Sequence, residues 1–552
     1  MLKKLAKIFA WILGVLVLLL VILLLYVRSV AKVDPPVPAS MAILDAKVTQ
    51  PDSGLYTIGN NWFRKSESGL YELYIEGAPF ERGVVNGKLT HELVQYQEEV
   101  FTNQLHRLVP SSFYLNILKY FVGWFNRDLD KNISDEYKLE IYGVSQVASH
   151  DFDDIAPPYQ RILNYHAAHD IGHALQNMSL VGCTAFATWD SRSEDSTLII
   201  GRNFDFYVGD DFARDKIIAF YNPDKGYKFM MVTFGGMTGV LSGMNAEGLT
   251  VTINAAKSDV PSASATPVSL VAREILQYAS TIKEAYAIAE KHKMFVAESF
   301  LIGSAKDGKA SIIEKTPEGI DFYEVNGDQI VSTNHFLGKV LGQTPLNQEH
   351  IRTSASPYRF QRVEELLQEN GMNSVLKTAS ILRNQKGLGG KDIGLGNEKL
   401  INQLVAHHGI IFQPEKRLVW ISTAPWQLGK FVCYDLNKVF AKKMERNEEI
   451  YEATLMIPAD TFLTTSAYKD YRKFHPYRFP FNPRTDIQPD SLVVWNPNSY
   501  HAYMLAGDYY LDHEQYSAAA EKYREGLTKE VATLQEREHM EKNLKKAEEQ
   551  LK

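Results

Sequence analysis

The sequence predicts an α+β protein: antiparallel sheets with helices layered on them, an apolar helix at the N-terminus and a helical tail at the C-terminus. Three observations carry this. From Thr184 to Ala255, short β-rich runs are separated by turn residues; Ser269 to Lys293 reads as two helices; strands resume at Ser299. That order of strands, helices and strands favours antiparallel sheets with helices packed against them. Ile8 to Val27 is apolar and uncharged, over about the length that crosses a hydrocarbon core as a helix. Tyr503, Gly507, Tyr510, Ala519, Tyr523 and Gly526 fall at spacings that resemble a tetratricopeptide (TPR) helix pair.

With 45% hydrophobic and 23% charged residues the composition is globular, and the length allows roughly two to four domains. A net charge of −7 argues against a general nucleic-acid binder. Cys183 and Cys433 are the only cysteines, so there is no disulfide framework. An unpaired thiol in an exported chain is an oxidation liability, and keeping one hints at use.

Residues 1–32 read as a cytoplasmic tip and transmembrane anchor. Lys3, Lys4 and Lys7 precede the apolar run and Arg28 follows it, so the N-terminus stays cytoplasmic and the body is periplasmic or extracellular. A cleaved signal peptide competes, because Ser29-Val30-Ala31 resembles a cleavage site; the length of the apolar run favours an uncleaved anchor. Residues 33–70 read as a linker, opened by Pro35, Pro36 and Pro38, which keep it extended.

In 71–182, Tyr71–Glu76 alternates like a strand, Gly77–Gly83 is a turn, Val84–Thr102 looks helical and residues 103–180 are mostly helical by pattern. His166, His169 and His173 share one helical face, as metal ligands would. Gly172 weakens that helix and no carboxylate or cysteine cluster accompanies the histidines, so packing is the better reading and neither a metal nor a cofactor is expected.

Residues 183–440 hold the expected core. Strands are expected at Thr184–Asp190, Thr197–Phe206, Lys216–Tyr221, Lys228–Phe234, Val240–Met244 and Leu249–Asn254. Further strands are expected at Ser299–Ser304, Ala310–Lys315, Asp321–Val325 and Gln329–Ser332, with a last strand pair between Leu404 and Asp435. Cys433, in the apolar run Phe431–Tyr434, reads as a buried structural thiol. Residues 441–497 read as a wrapping linker, and residues 498–552 as a TPR-like tail with a charged last helix over Gln535–Leu551. The tail docks on the body, caps it or binds a protein partner.

Chemistry concentrates at Val181-Gly182-Cys183-Thr184, followed eighteen residues on by Gly201-Arg202-Asn203-Phe204-Asp205. A thiol, a guanidinium and a carboxylate then share one short hairpin, and a nearby cation favours a thiolate. Cys183 taken alone reads as a small buried hydrophobe; its surroundings argue for a nucleophile.

Several motifs then occur in one order: Gly77-Ala78-Pro79-Phe80-Glu81-Arg82-Gly83, Gly182-Cys183-Thr184, Gly201 to Asp205, Asn245-Ala246-Glu247-Gly248-Leu249 leading to Asn254, Ser332-Thr333-Asn334-His335-Phe336, Ser356-Pro357-Tyr358-Arg359-Phe360, and His407 to Pro414. With them the chain from about Tyr71 to Leu436 resembles the acyl-coenzyme A:6-aminopenicillanic acid acyltransferase family of N-terminal-nucleophile hydrolases. More distantly it resembles choloylglycine hydrolases and penicillin V acylases. The resemblance implies a four-layer αββα fold made as a precursor, with 71–182 as the propeptide segment. Cleavage between Gly182 and Cys183 then makes Cys183 the first residue of a new chain. The long upstream segment with a membrane helix is a departure from the family pattern.

By the same resemblance Cys183 is the nucleophile and its own freed amine, with an ordinary pKa of about 8, the general base. Arg202 favours the thiolate, and Asp205 holds the ammonium or amine. Asn254 and Asn334 are the candidate oxyanion donors. Arg359 fixes the site or binds substrate, with Arg362 as the fallback on the same helix face. The implied activity is that of a linear-amide hydrolase or N-acyltransferase working through a thioester, on a small N-acyl substrate, with acyl-CoA as a candidate donor. Phe204, Phe206, Tyr207 and Met237 line an acyl pocket or simply pack the core. The competing readings are a non-catalytic anchored scaffold that uses the TPR-like tail and, third, a metalloenzyme built on the histidines.

Overall fold

The computed structural model describes residues 2–109, 111–175, 182–207, 209–257, 264–479 and 488–552. Val181, the end of the helical span before it (residues 176–180) and residues 480–487 of the wrapping linker lie outside the described residues, as do the side chains of His169 and His173.

In chain order the strands are β1 (Thr49–Asp52), β2 (Leu55–Ile58), β3 (Asn61–Lys65), β4 (Tyr71–Gly77), β5 (Thr184–Thr188), β6 (Ile199–Phe204), β7 (Ile217–Pro223), β8 (Phe229–Thr233) and β9 (Ser242–Asn245). They continue as β10 (Leu249–Ala255), β11 (Glu298–Ser304), β12 (Lys309–Lys315), β13 (Ile320–Tyr323), β14 (Gln329–Ser332), β15 (His408–Gln413), β16 (Leu418–Ser422) and β17 (Phe431–Asp435). An eleven-stranded sheet runs β1-β2-β3-β4-β7-β8-β9-β10-β11-β12-β13, and a six-stranded sheet runs β14-β5-β6-β15-β16-β17. Pairing is antiparallel in both except between β4 and β7, which lie parallel from Tyr71 opposite Ile217 to Gly77 opposite Pro223.

Period-two alternation stacks the two sheets. On β5, Ala185 and Ala187 point into a core shared with Ile218, Phe220, Met230 and Leu301 of the larger sheet. Phe186 between them points the other way, onto Val363, Leu367, Ala379 and Leu382. Those residues belong to helices Ser356–Asn370 and Val375–Leu382. The far face of the larger sheet is covered by helices Val268–Tyr278 and Ile282–Lys291 through Val271, Ile275, Ala285 and Ala289. The described residues therefore form four layers: helices, sheet, sheet, helices. Each fully buried Leu, Ile or Phe at these interfaces contributes roughly 1.5–3 kcal/mol.

Three spans differ from the sequence reading. The span read as a linker, 33–70, carries β1 to β3. Each is only four or five residues long and broken by a tight turn, too short for alternation to register, although Leu55, Trp62 and Phe63 are buried. The last strand pair is three strands, because β17 returns antiparallel on β16. The wrapping linker holds helices Ser466–Phe474 and Pro489–Trp495, with Tyr471 and Phe474 fully buried.

The segment before Cys183 is built into the body. Helix Pro79–Leu89 packs on helix Asp135–Ser145 so closely that a Cβ at Gly83 would lie 2.0 Å from the Glu140 carbonyl oxygen. Arg82, fully buried beside it, pairs with Glu136 and Glu140 at 2.9 Å each and Asp224 at 3.1 Å. Helix Leu2–Val30 exposes most of its described apolar side chains. Its Lys4–Val27 stretch is long and apolar enough to cross a membrane, a test that a signal sequence also passes. At the C-terminus, helices Tyr500–Asp512, Tyr516–Thr528 and Leu534–Glu549 share a small core around Tyr500, Ala519, Tyr523 and Met540. They dock on the body: the Asn397 amide donates to the Glu530 carbonyl at 2.8 Å, and Lys399 pairs with Glu530 at 2.6 Å.

Candidate active site

Cys183 immediately precedes β5, and β5 pairs with β6 so that Ala185 lies opposite Arg202. The register brings the Arg202 Nη2 to 3.7 Å from the Cys183 sulfur. Both residues are buried, the thiol at 1% exposure. Burial pushes the thiol up to about 11, and the Arg202 charge only partly offsets it. The sulfur is therefore held as the neutral S–H rather than the thiolate.

Arg202 is fixed on several sides. Its Nη1 donates to Ser242 Oγ at 2.6 Å and to the Leu241 carbonyl at 3.3 Å. Its Nη2 also donates to the Ile253 carbonyl, and the guanidinium lies over the Phe204 ring at 4.3 Å. Ser242 links onward to His408 Nε2 at 2.9 Å, and His408 meets His407 at 2.9 Å. Ser242 was not singled out in the sequence, and His408 was noted only as part of the His407 to Pro414 strand motif, with no role given to it. Glu298, also not foreseen, is fully buried with both carboxyl oxygens unpartnered among the described residues. Burial and Asp170 raise its pKa well above the usual carboxylate range, and Arg202 acts in the other direction.

Asp205 follows β6. Its backbone carbonyl accepts from the Gly182 N–H at 2.9 Å and lies 3.9 Å from the Cys183 sulfur. Its carboxyl is fully buried, and neither oxygen has a hydrogen-bond partner among the described residues. Desolvation pushes it up to about 7 against the pull of Arg359, Arg202 and Arg478.

Asn254 and Asn334 tie the sheets together. Asn254 on β10 donates to the Ser332 carbonyl at 3.1 Å and to Ser332 Oγ at 3.2 Å, at the end of β14. Asn334 donates through Nδ2 to the Ala255 carbonyl at 2.9 Å, and its Oδ1 accepts from Arg359 at 2.5 Å. Arg359 also donates to the Glu398 carbonyl at 2.7 Å, so it braces Asn334. Arg362, its fallback, turns to Glu365 at 2.5 Å instead. Asn254 spends its amide nitrogen on two Ser332 acceptors, whereas Asn334 meets one acceptor with its two N–H groups among the described residues; the geometry favours Asn334 as the donor to a new oxyanion.

Gly182 carries a further contact absent from the motifs. Gln403 Nε2 donates to the Gly182 carbonyl at 2.6 Å. A Cβ on residue 182 would press on that nitrogen, so only a residue without a side chain leaves this hydrogen bond in place.

Phe204, Phe206 and Met237 are buried in the same apolar cluster as Cys183, while Tyr207 stacks on Phe479. His166 is buried, with Nδ1 at 2.8 Å from the Ile162 carbonyl and Nε2 accepting from the Thr238 N–H at 2.9 Å. Both ring nitrogens are thus occupied, which is a packing role. A cavity of about 190 Å³ lies along helix His91–Leu108, lined by Tyr96, Glu99, Asn103, Gln104 and Arg214 among others, and none of the candidate catalytic residues lines it.

Two stacked sheets lie between helices, with a glycine-preceded cysteine beside an arginine in the smaller sheet. Residues 191–387 match the model of the acyl-coenzyme A:6-aminopenicillanic acid acyl-transferase family. That segment contains Arg202, Asp205, Asn254, Asn334 and Arg359, and starts after Cys183. The chain is 25% identical over 306 residues to an uncharacterized protein of Archaeoglobus fulgidus, covering 49% of this chain and 51% of that protein. It is 20% identical over 338 residues to an acid ceramidase of Heterocephalus glaber, covering 56% and 76%. It therefore spans about half the length of the first relative. Among solved structures, an N-acylethanolamine-hydrolyzing acid amidase ortholog of Caenorhabditis elegans is 16% identical with a TM-score of 0.31, covering 42% of this chain and 93% of that one. A mutant conjugated bile acid hydrolase of Clostridium perfringens is 16% identical with a TM-score of 0.32, covering 49% and 96%.

Proposed function

We propose that this protein is a membrane-anchored, self-processing amidohydrolase or acyltransferase that uses Cys183 as an N-terminal nucleophile on an N-acyl amide. The observation that carries the reading is the Cys183 sulfur at 3.7 Å from Arg202, next to the buried carboxyl of Asp205, which no described residue satisfies. A buried acid without partners is costly unless a partner arrives. An α-ammonium created at residue 183 is such a partner, since the Asp205 backbone already flanks Gly182 and the sulfur.

The steps follow from these positions. In maturation the Cys183 sulfur attacks the Gly182 carbonyl carbon, forming an S–C bond. The C–N bond breaks, and the thiol proton ends on the departing nitrogen. Water then hydrolyses the thioester, leaving a Gly182 carboxylate and a free amine and thiol on Cys183. In turnover that amine takes the thiol proton, and the sulfur attacks the substrate carbonyl. Asn334 donates to the oxyanion, Arg202 lowers the cost of the thiolate, and Asp205 holds the ammonium. Water releases a carboxylic acid from the thioester; an amine releases a new amide. The amide-bond chemistry agrees with the family name and with the acid ceramidase relative.

The test is incubation of the purified full chain with N-acyl amino acids, N-acyl sphingoid amides and acyl-CoA plus amine, read by product mass spectrometry. Turnover that disappears in Cys183→Ala supports the reading. Equal turnover in the two proteins, or none with any substrate from a correctly cut protein, counts against it.

A further inference from the structure

We infer that Gln403 is the hydrogen-bond donor that activates the Gly182 carbonyl for self-cleavage, and that the C-terminal extension holds it there through Arg478. The inference rests on the self-processing reading above and adds to it a residue and a role for the tail.

The carbonyl attacked in maturation belongs to Gly182. Its oxygen receives a 2.6 Å hydrogen bond from Gln403 Nε2, with Gln403 at 3% exposure. The N–H of the same residue is held by the Asp205 carbonyl at 2.9 Å. The peptide group on each side of Gly182 is thus clamped, and the donor points at the atom where negative charge develops. In a site closed to water such a contact is stronger than at the surface. Gln403 transfers no proton; it stabilises the oxyanion formed when sulfur bonds to carbon, and again when water attacks the thioester.

The backbone around Gln403 is set by the chain beyond residue 440. Arg478 Nη1 donates to the Gln403 carbonyl at 2.8 Å. Leu404, the next residue, has φ of 57°, a left-handed conformation that costs a residue with a side chain on the order of 1 kcal/mol. Leu404 is fully buried against Tyr471, Phe474, Leu492, Ala502 and Leu505, all of them C-terminal to the family match at 191–387. This packing offsets the cost. The neighbouring Glu398 carbonyl accepts from Arg359, so the same loop also reaches Asn334. The C-terminal extension thereby acts as a positioning element for the cleavage centre, with Arg478 as its positioning residue.

The experiment is pulse-chase synthesis of the full chain into nanodiscs, following the fragment that begins at Cys183 by intact mass. Gln403→Met keeps the volume and removes the donor; we expect cleavage slower by roughly ten- to a thousandfold. Folding is controlled by melting Gln403→Met in a Cys183→Ala background. Gln403→Glu keeps the shape but carries only acceptors when ionised, so its cleavage falls as pH rises and recovers on acidification, a dependence that a packing role does not produce. Arg478→Ala slows cleavage and Arg478→Lys restores part of it. Parent and Gln403→Met cleaving at the same rate, or Gln403→Glu cleaving like the parent at every pH, overturns the inference and leaves self-processing standing. A parent that never cleaves overturns both.

Discussion

The Arg202 guanidinium lies 3.7 Å from the Cys183 sulfur, yet the thiol stays protonated because burial outweighs that one charge. The cation alone does not make the nucleophile. Cys183 is a buried thiol here; in the proposed maturation it gains an amine on the same residue, beside the buried Asp205 carboxyl.

Arg202→Ala removes a charged donor beside the sulfur and leaves Ser242 Oγ without its 2.6 Å partner. Hydrogen bonds to charged groups contribute about 1.5–3 kcal/mol, so kcat/KM on the best amide substrate falls by roughly ten- to a hundredfold. Arg202→Lys recovers little, because a single ammonium does not reproduce the guanidinium fork. Steady-state kinetics on the two variants decide it; wild-type rates in Arg202→Ala contradict the assignment.

Asp205→Asn has opposite effects before and after cleavage. Burial raises the Asp205 pKa from 3.8 to about 7 in the intact chain, and the Cys183→Ala background keeps the chain uncut. For a raised acid, stability is fully present below the unfolded value and is lost as pH rises through the folded one. Asp205→Asn in that background therefore raises the melting temperature at about pH 8 and has little effect at about pH 4. In the cut protein the same substitution removes the proposed ion pair of Asp205 with the new ammonium, so it is expected to lower the melting temperature. Melts of both forms at both pH values test this.

Asn334→Ala removes the proposed oxyanion donor, and a donor of this kind is worth about 3–4 kcal/mol of transition-state stabilisation. The expected result is kcat lower by a hundredfold or more with KM little changed. Arg359→Lys, which loses the bridge between Asn334 Oδ1 and the Glu398 carbonyl, gives a smaller drop of the same type. A rise in KM at constant kcat in either variant points to substrate binding instead.

Sheets with helices on them were legible from the order of strands, helices and strands, and the four layers from the family resemblance; that Ala185 and Ala187 serve one core and Phe186 another appears only in the structure. Cys183, Arg202 and Asp205 were legible because one hairpin brings them together. What escaped had no local pattern. β1 to β3 are too short to show a period. Ser242, His408 and Gln403 are 59, 225 and 220 residues from Cys183 in the chain, and only the sheet order and the C-terminal wrap bring them near. The C-terminal helices pack as a unit; a tetratricopeptide character and a partner for them are separate proposals.

Gly182→Ala places a Cβ 2.3 Å from the Gln403 amide nitrogen. Gln403 swings aside and its hydrogen bond to the scissile carbonyl is lost, so self-cleavage slows by roughly tenfold or more with only a small change in melting temperature. Cleavage at the parent rate contradicts the clamp around this residue.

The central claim is that the chain cuts itself before Cys183. Intact mass of the purified full chain, beside Cys183→Ala made in the same way, tests it most directly. The account predicts two fragments in the first, one with cysteine as its N-terminal residue, and one uncut chain in the second. A single uncut chain in both, or the same two fragments in both, contradicts it.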